Sequence, residues 1–258
     1  MSERAVSETP VAPQSGGGPS PLEVLSEYLI EAKGSLRNNP TVFRKLQTLF
    51  EKGRAPERVE GHFYGVTLAM RTGNLPGSGN VLNHLWGRLL ASHPPWVGKG
   101  FVASTSPTYS GINFFLCSHT PFWTRLSIRV LRWVLKIEPA PEDERKAWGC
   151  DYKGGRFVAR KAKSVYPGLE KEVFQLDYRL VSLGNPFPLK YLIDEIVEID
   201  EGLYLGPLLF ATRRLFRKYD PSLPAKEYRY ANFGYFLLMS DRWDSERRRL
   251  FPYTEDRL

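Results

Sequence analysis

The sequence predicts an α+β protein built on an antiparallel lipocalin-like β-barrel, with an N-terminal helix pair and an inserted basic amphipathic helix. Three observations lead to this fold class. Several segments alternate apolar and polar residues with a period of two, turn residues separate them, and the helical patterns fall early and in the middle of the chain. The 258 residues, 42% of them hydrophobic and 25% charged, are enough for one core and typical of a soluble globular protein.

The chain divides into four expected regions. Residues 1–19, rich in Ser, Pro and Gly, predict a disordered tail. Residues 20–56 predict two amphipathic helices packed on the barrel, each beginning at a proline and ending at a glycine. Residues 57–242 predict the barrel domain, with a helical insertion near 121–137, and residues 243–258 predict a polar C-terminal tail. We expect a cytoplasmic location because the sequence shows neither a secretory leader nor an apolar run of about 20 residues.

The first barrel strand is expected at residues 60–70. His62, Tyr64 and Val66 fall on one face of this segment, and Phe63 and Gly65 fall on the other. The face that carries His62 is mostly apolar with a polar end, a pattern typical of a barrel interior. A buried, hydrogen-bonded pair of His62 and Tyr64 without a function would produce the same pattern.

A β-hairpin is expected over Lys190–Thr212. Apolar and acidic residues alternate before the turn residues Asp200-Glu201-Gly202, and a second apolar run follows. Asp194 and Glu195 are neighbours in the first strand, so they must point to opposite faces and cannot form a catalytic carboxylate pair. We expect Asp194 inside the barrel, paired with Lys99 or an arginine, and Glu195 outside.

Four short signatures occur in an order that resembles the GXWXG type of lipocalin-like barrel, an uncharacterised family. They are Gly61-His62-Phe63-Tyr64-Gly65, Trp96-Val97-Gly98-Lys99-Gly100-Phe101, Leu192-Ile193-Asp194 and Tyr235-Phe236-Leu237-Leu238. Phe63 stands where the family has tryptophan, and the helix pair is additional. The resemblance implies a barrel that holds a small apolar ligand, and it implies no catalytic residue.

The predicted function is therefore binding of a small hydrophobic molecule, and the net charge of +8 leaves an anionic ligand open. The residues expected to bind it are His62, Tyr64, Val66, Lys99, Phe101, Asp194, Ile196 and Tyr204. We expect no cofactor, and no metal because the four histidines show no metal-ligand spacing. A lysine on a barrel strand is more often exposed than buried, so an outward Lys99 is the alternative.

Two other functions compete with simple binding. A cofactor-free enzyme, an isomerase or cyclase, would use His62, Tyr64 and Asp194 as acid/base groups in the same cavity. A peripheral membrane or protein-partner module would act through the basic stripe of the inserted helix, formed by Arg125, Arg129, Arg132 and Lys136. A surface helix packed on the barrel is the alternative for that stripe. Nucleic-acid binding is disfavoured because the aromatic residues follow core patterns, and the sequence assigns no oligomeric state.

The stripe predicts binding to an anionic membrane surface. Changing Arg125, Arg129 and Arg132 together to glutamate reverses three charges and should abolish recovery of the protein with anionic liposomes in a flotation assay. Equal recovery of both proteins would exclude this role.

A second variant, with Arg213, Arg214 and Arg217 changed to glutamate, has the same net charge as the first variant and serves as the control. If it also fails to float with liposomes, overall charge and not the stripe governs membrane contact.

Overall fold

The computed structural model of the chain describes residues 18–31, 39–70, 96–104, 107–117, 132, 136–214 and 217–251. The described helices are α1 (Pro21–Glu31), α2 (Pro40–Lys52), α3 (Glu142–Trp148) and α4 (Asp244–Leu250). The described strands are β1 (Gly61–Met70), β2 (Trp96–Ala103), β3 (Tyr109–Phe115), β4 (Glu138–Pro139), β5 (Tyr152–Lys163), β6 (Glu172–Asp177), β7 (Leu192–Asp200), β8 (Leu203–Ala211) and β9 (Tyr230–Met239).

The strands form one antiparallel sheet in the order β3-β2-β1-β9-β8-β7-β6-β5-β4, and β3 also pairs with β5. This last pairing closes β1–β3 and β5–β9 into an eight-stranded barrel, while the two-residue β4 pairs with β5. Closure satisfies the backbone hydrogen bonds that an open sheet would expose at its edges. The predicted antiparallel barrel, including the β7–β8 hairpin with Gly202 in its turn at φ 69°, is confirmed.

The two faces of the barrel wall are buried in two different apolar cores. The interior, or lumen, is lined mainly by aromatic and aliphatic side chains, among them Phe63, Phe101, Phe157, Phe174, Tyr204 and Phe236. The outer face of β1, β8 and β9 carries a second apolar core, which packs against α1 and α2. Both faces of these strands are therefore apolar, and burial of both contributes to stability.

Helix α2 packs on the barrel because its sequence supplies both a cap and an apolar stripe. Asn39 Oδ1 accepts hydrogen bonds from the backbone N–H groups of Thr41 and Val42, both at 3.1 Å. Leu46 and Phe50 are fully buried in the outer core. Complete burial of one such side chain stabilises the folded state by roughly 1.5–3 kcal/mol.

The C-terminal end of α2 is bound by Lys171, from the segment before β6. Its ammonium group donates hydrogen bonds to the carbonyl oxygens of Phe50 at 3.1 Å and Glu51 at 3.0 Å, and also to that of Gly53. These carbonyl groups lie at the negative end of the helix, where a cation is favourable. Lys171 thus joins the helix pair to the barrel wall.

The expected polar tail at residues 243–258 is wrong in its first half. Residues Asp244–Leu250 form α4, and Trp243 and Phe251 at its two ends are buried in the outer core. Arg247 is buried too, and it pairs with Asp244 at 2.5 Å. Burial of an apolar side chain at each end therefore holds α4 against the barrel, although arginines lie between the two.

Only part of the expected insertion lies among the described residues. Arg132 is helical and exposed. Lys136 has a left-handed backbone with φ 49°, so the helix ends before Ile137. The sequence had predicted that it extends to that residue. Arg125 and Arg129 lie outside the described residues.

Candidate functional site

An ion pair between Lys99 and Asp194 crosses the lumen. Lys99 lies on β2 and Asp194 on β7, with β3, β5 and β6 between them in one direction and β1, β9 and β8 in the other. The two strands are thus on opposite sides of the barrel. Lys99 Nζ and Asp194 Oδ2 are 2.9 Å apart, and each side chain is only 3% exposed.

Asn113 on β3 and Tyr178, just after β6, complete a polar cluster with this pair. Lys99 Nζ donates hydrogen bonds to Asn113 Oδ1 and to the Tyr178 hydroxyl oxygen, both at 2.6 Å. The Tyr178 hydroxyl donates to Asp194 Oδ2 at 2.9 Å. Lys99, Asn113, Tyr178 and Asp194 are called the polar cluster below.

Asn113 is held in place by the barrel wall itself. Its Nδ2 donates to the Gly155 carbonyl oxygen at 2.7 Å, and its Oδ1 accepts from Trp96 Nε1 at 3.1 Å. Gly155 has φ 61°, a left-handed backbone that favours glycine, and the register of β3 against β5 shifts at this level. The shift therefore brings a backbone carbonyl group to the polar cluster.

Aromatic rings surround the ammonium group of Lys99. Its Nζ lies 5.2 Å from the ring centroid of Trp96 and 5.3 Å from those of Phe157, Tyr178 and Phe236. The negative faces of such rings stabilise a cation by about 0.5–2 kcal/mol per contact. They also exclude water, which strengthens the attraction between Lys99 and Asp194.

Burial changes the acid–base properties of the polar cluster. Desolvation lowers the pKa of Lys99, and the charge and hydrogen bond of Asp194 oppose this shift. Desolvation, reinforced by the charge of Asp194, raises the pKa of Tyr178 well above its ordinary value, so the hydroxyl keeps its proton. Tyr178 and Lys99 are hydrogen-bond donors in this arrangement, and Asp194 is the acceptor.

One atom of the polar cluster has no partner. Asp194 Oδ1 is buried, and no group in the part of the chain that the structure describes donates a hydrogen bond to it. A buried acceptor without a donor costs about 1–3 kcal/mol, and more when it carries charge. The atom is therefore a candidate contact for a ligand, which would have to displace the side chains that now cover it.

His62, Tyr64 and Val66 do not belong to the lumen, and the expected orientation of β1 is wrong. His62 stacks on Trp148 of α3, with ring centroids 4.7 Å apart and planes 1° apart. Tyr64 lies under Arg247 of α4, and Val66 is part of the outer core. The outer face of β1 is apolar because helices cover it, so alternation alone did not distinguish outside from inside.

The other expected ligand-binding residues share the inner core. Phe101 contacts Phe63, with ring centroids 5.6 Å apart, and Tyr204 contacts the same ring at 5.4 Å. Ile196 is fully buried in this core, two residues from Asp194 on the same face of β7. The structure thus brings Phe101, Ile196 and Tyr204 into the lumen with Lys99 and Asp194. It separates all five from the His62 face.

Glu195 lies on the outer face of β7, opposite to Asp194. Its carboxylate accepts hydrogen bonds from Ser164 Oγ and the Val165 backbone N–H, both at 2.6 Å, and from Gln175 Nε2 at 3.3 Å. The residue is fully buried, and burial raises its pKa against the effect of these hydrogen bonds. Glu195 therefore fixes the segment between β5 and β6 and is already occupied by protein donors.

Sequence reasoning missed Asn113, Tyr178 and Trp96. Asn113 did carry a signal, because it is the one amide among the apolar residues that share its face of β3. Tyr178 continues the apolar face of β6 and is indistinguishable there from an ordinary core tyrosine. The β3–β5 pairing brings Gly155 to Asn113, and no local sequence pattern predicts that pairing.

The described residues of the basic stripe contact the protein itself. The Arg132 guanidinium lies over the Tyr152 ring at 5.5 Å, and Lys136 Nζ donates to the Gly184 carbonyl oxygen at 2.7 Å. Among the helices that the structure describes, none has the length and hydropathy needed to span a bilayer. The described residues also contain no group of three or more potential metal ligands.

The fold and the polar cluster define a closed antiparallel barrel with a buried ion pair in its lumen, an architecture compatible with ligand binding. No family model matches the chain, and no curated protein matches it. Among solved structures, it is similar to a protein from Thermomonospora curvata, with 13% identity over 84% of this chain and 99% of that one, and a TM-score of 0.32. This similarity supports no inference about function.

The buried ion pair predicts a large loss of stability when one partner is removed. Lys99→Met or Asp194→Leu alone should lower the free energy of unfolding by about 3–5 kcal/mol, because the remaining charge stays buried without compensation. The double variant should lose less than either single variant. Equilibrium unfolding in urea measures all three.

The matched control is the exposed pair Lys146–Glu142, whose side chains are 76% and 77% exposed. Lys146→Met should change the free energy of unfolding by less than about 1 kcal/mol. Additive losses at Lys99 and Asp194 would contradict the pairing.

His62 predicts a pH dependence of stability. Burial, then the charge of Arg247, lowers its pKa from 6.5 to about 4. Between these two values the unfolded state binds more protons than the folded state, so stability falls as the pH falls through this window. His62→Phe should remove this loss. The melting temperature of the variant minus that of the natural protein should therefore be roughly 4 °C greater at pH 4.5 than at pH 7.5.

The control is Tyr64→Phe, which alters the ring in contact with His62, at 5.0 Å, without removing a group that titrates in this window. Its melting curve should keep the natural pH dependence. Parallel pH profiles for His62→Phe and the natural protein would show that His62 is not the responsible group.

Proposed function

We propose that the protein binds a small hydrophobic molecule inside the barrel, with the polar cluster as the point of attachment. One observation carries this proposal: Asp194 Oδ1 is a buried carboxylate oxygen without a donor among the described residues, within an interior built largely of aromatic side chains. Aromatic walls bind apolar ligands, and a few polar groups fix their orientation. Phe101, Ile196 and Tyr204 supply apolar wall on the same face as the cluster.

The expected alternative, a cofactor-free enzyme using His62, Tyr64 and Asp194, has no support in this arrangement. His62 and Tyr64 contact α3 and α4 on the outside of the barrel, whereas Asp194 is inside it. A general base must approach the proton that it removes to hydrogen-bonding distance. A single ligand in the lumen therefore cannot contact all three groups.

A distant relationship to the GXWXG type of barrel is part of this proposal. Its support is that the four signatures lie on β1, β2, β7 and β9, and that β9, β1 and β2 are consecutive neighbours in the barrel. Reversible contact with an anionic membrane is proposed as a secondary role. Its support is the net charge of +8 and the exposed position of Arg132.

Binding in the lumen predicts that a bulky substitution there will exclude an apolar probe. Leu208 pairs with Asp194 across β7 and β8, so it faces the lumen, and it is only partly buried. Leu208→Trp should weaken binding of the fluorescent hydrocarbon diphenylhexatriene by about tenfold or more, because the indole ring would fill the part of the lumen that the probe needs. Fluorescence titration measures the change.

The matched control is Val102→Trp, which adds an indole ring at a side chain that is 67% exposed on β2. It should bind the probe as the natural protein does. Native mass spectrometry of the purified chain provides a second readout, in which a bound lipid should be present and should be lost in Leu208→Trp. Unchanged probe affinity in Leu208→Trp, or ligand-free protein in every preparation together with no probe binding, would refute the proposal.

A further inference from the structure

The hydrogen-bond donors of the polar cluster are all used within the protein. An ammonium group has three N–H bonds, and Lys99 directs them to Asn113 Oδ1, the Tyr178 hydroxyl oxygen and Asp194 Oδ2. The single O–H of Tyr178 is donated to Asp194 Oδ2. The amide of Asn113 donates to the Gly155 carbonyl oxygen and to the Tyr178 hydroxyl oxygen, at 2.7 and 3.3 Å. No donor is left for a ligand.

The acceptors of the cluster are used as well, with one exception. Asn113 Oδ1 accepts from Lys99 and Trp96, and the Tyr178 oxygen accepts from Lys99 and Asn113. Asp194 Oδ2 accepts from Lys99 and Tyr178. Asp194 Oδ1 alone lacks a donor within the described part of the chain. The remaining hydrogen-bonding capacity of the cluster is therefore that of an acceptor.

The charge of the cluster restricts the ligand further. Lys99 and Asp194 contribute one positive and one negative charge, which compensate each other at 2.9 Å. An anionic ligand at Asp194 Oδ1 would meet a carboxylate oxygen in a setting of low polarity. A cationic ligand there would lie close to the ammonium group of Lys99 and would lose its own hydration. Either ionised form is therefore disfavoured.

We infer that the ligand is a neutral molecule with an apolar body and one hydrogen-bond donor, an apolar alcohol or phenol, whose hydroxyl donates to Asp194 Oδ1. This inference rests on the proposed binding function and specifies the chemistry of its ligand. It differs from the anionic ligand that the net charge of +8 left open, because the one lysine in the cluster is already paired. Donation to Asp194 Oδ1 would satisfy the last group of the cluster.

Four probes that share one apolar body test the inference: naphthalene, 2-naphthol, 2-naphthoate and 2-naphthylmethylammonium. Isothermal titration calorimetry at neutral pH measures the affinity of the full chain for each. We expect 2-naphthol to bind at least about tenfold more tightly than naphthalene, the factor that one hydrogen bond to a charged acceptor supplies. The two ionised probes should bind more weakly than naphthalene.

The double variant Lys99→Met/Asp194→Leu removes the acceptor without leaving an unpaired charge. It should prefer 2-naphthol over naphthalene less than the natural protein does, and its circular dichroism spectrum should show the natural fold. Asp200→Leu, a similar change at the end of the same strand, should keep the natural preference for 2-naphthol. If the double variant does not fold, the four affinities of the natural protein decide the inference by themselves.

The outcomes separate the inference from the function on which it rests. Equal affinity of the natural protein for naphthalene and 2-naphthol, or tightest binding of an ionised probe, would overturn the inference and leave binding in the lumen intact. If none of the four probes binds although diphenylhexatriene does, the inference fails and the proposed function stands. If diphenylhexatriene does not bind either, both fail.

Discussion

The ion pair between Lys99 and Asp194 is the interaction on which the interior of this protein depends. It joins strands on opposite sides of an eight-stranded barrel, in surroundings of aromatic rings that exclude water. In such surroundings a charge without its partner is strongly destabilising. A shift of β2 or β7 by one residue would turn one charge out of the lumen and leave the other unpaired, so the pair also fixes the register of both strands.

The rest of the cluster follows from the need to complete that pair. Lys99 has two further N–H bonds, and Asn113 and Tyr178 accept them. Asn113 is in turn held by the carbonyl group of Gly155, where the β3–β5 register shifts and the barrel closes. Closure of the barrel and completion of the polar cluster therefore both depend on the β3–β5 pairing. Within the described part of the chain, every polar group of the cluster has a hydrogen-bond partner except Asp194 Oδ1.

The sequence was informative in β7, where two acidic residues interrupt an apolar run, and misleading in β1, where both faces are largely apolar. Adjacency alone placed Asp194 and Glu195 on opposite faces of β7, and the structure has them so. In β1 the same reasoning assigned the wrong face to the lumen. Val66 and Leu68 belong to the outer core with α1 and α2 and do not line the lumen. Asn113 and Tyr178 could not be assigned, since their proximity depends on strand pairings far apart in the chain.

The central claim, that Asp194 Oδ1 receives the hydroxyl group of a neutral apolar ligand, is tested most directly by a crystal structure of the protein with 2-naphthol. The account predicts the naphthyl rings inside the barrel, with the hydroxyl oxygen about 2.5–3.0 Å from Asp194 Oδ1 and the Lys99–Asp194 pair unchanged. A 2-naphthol molecule seated in the lumen with its hydroxyl directed away from Asp194, or bound only on the outer face beside His62, would contradict it.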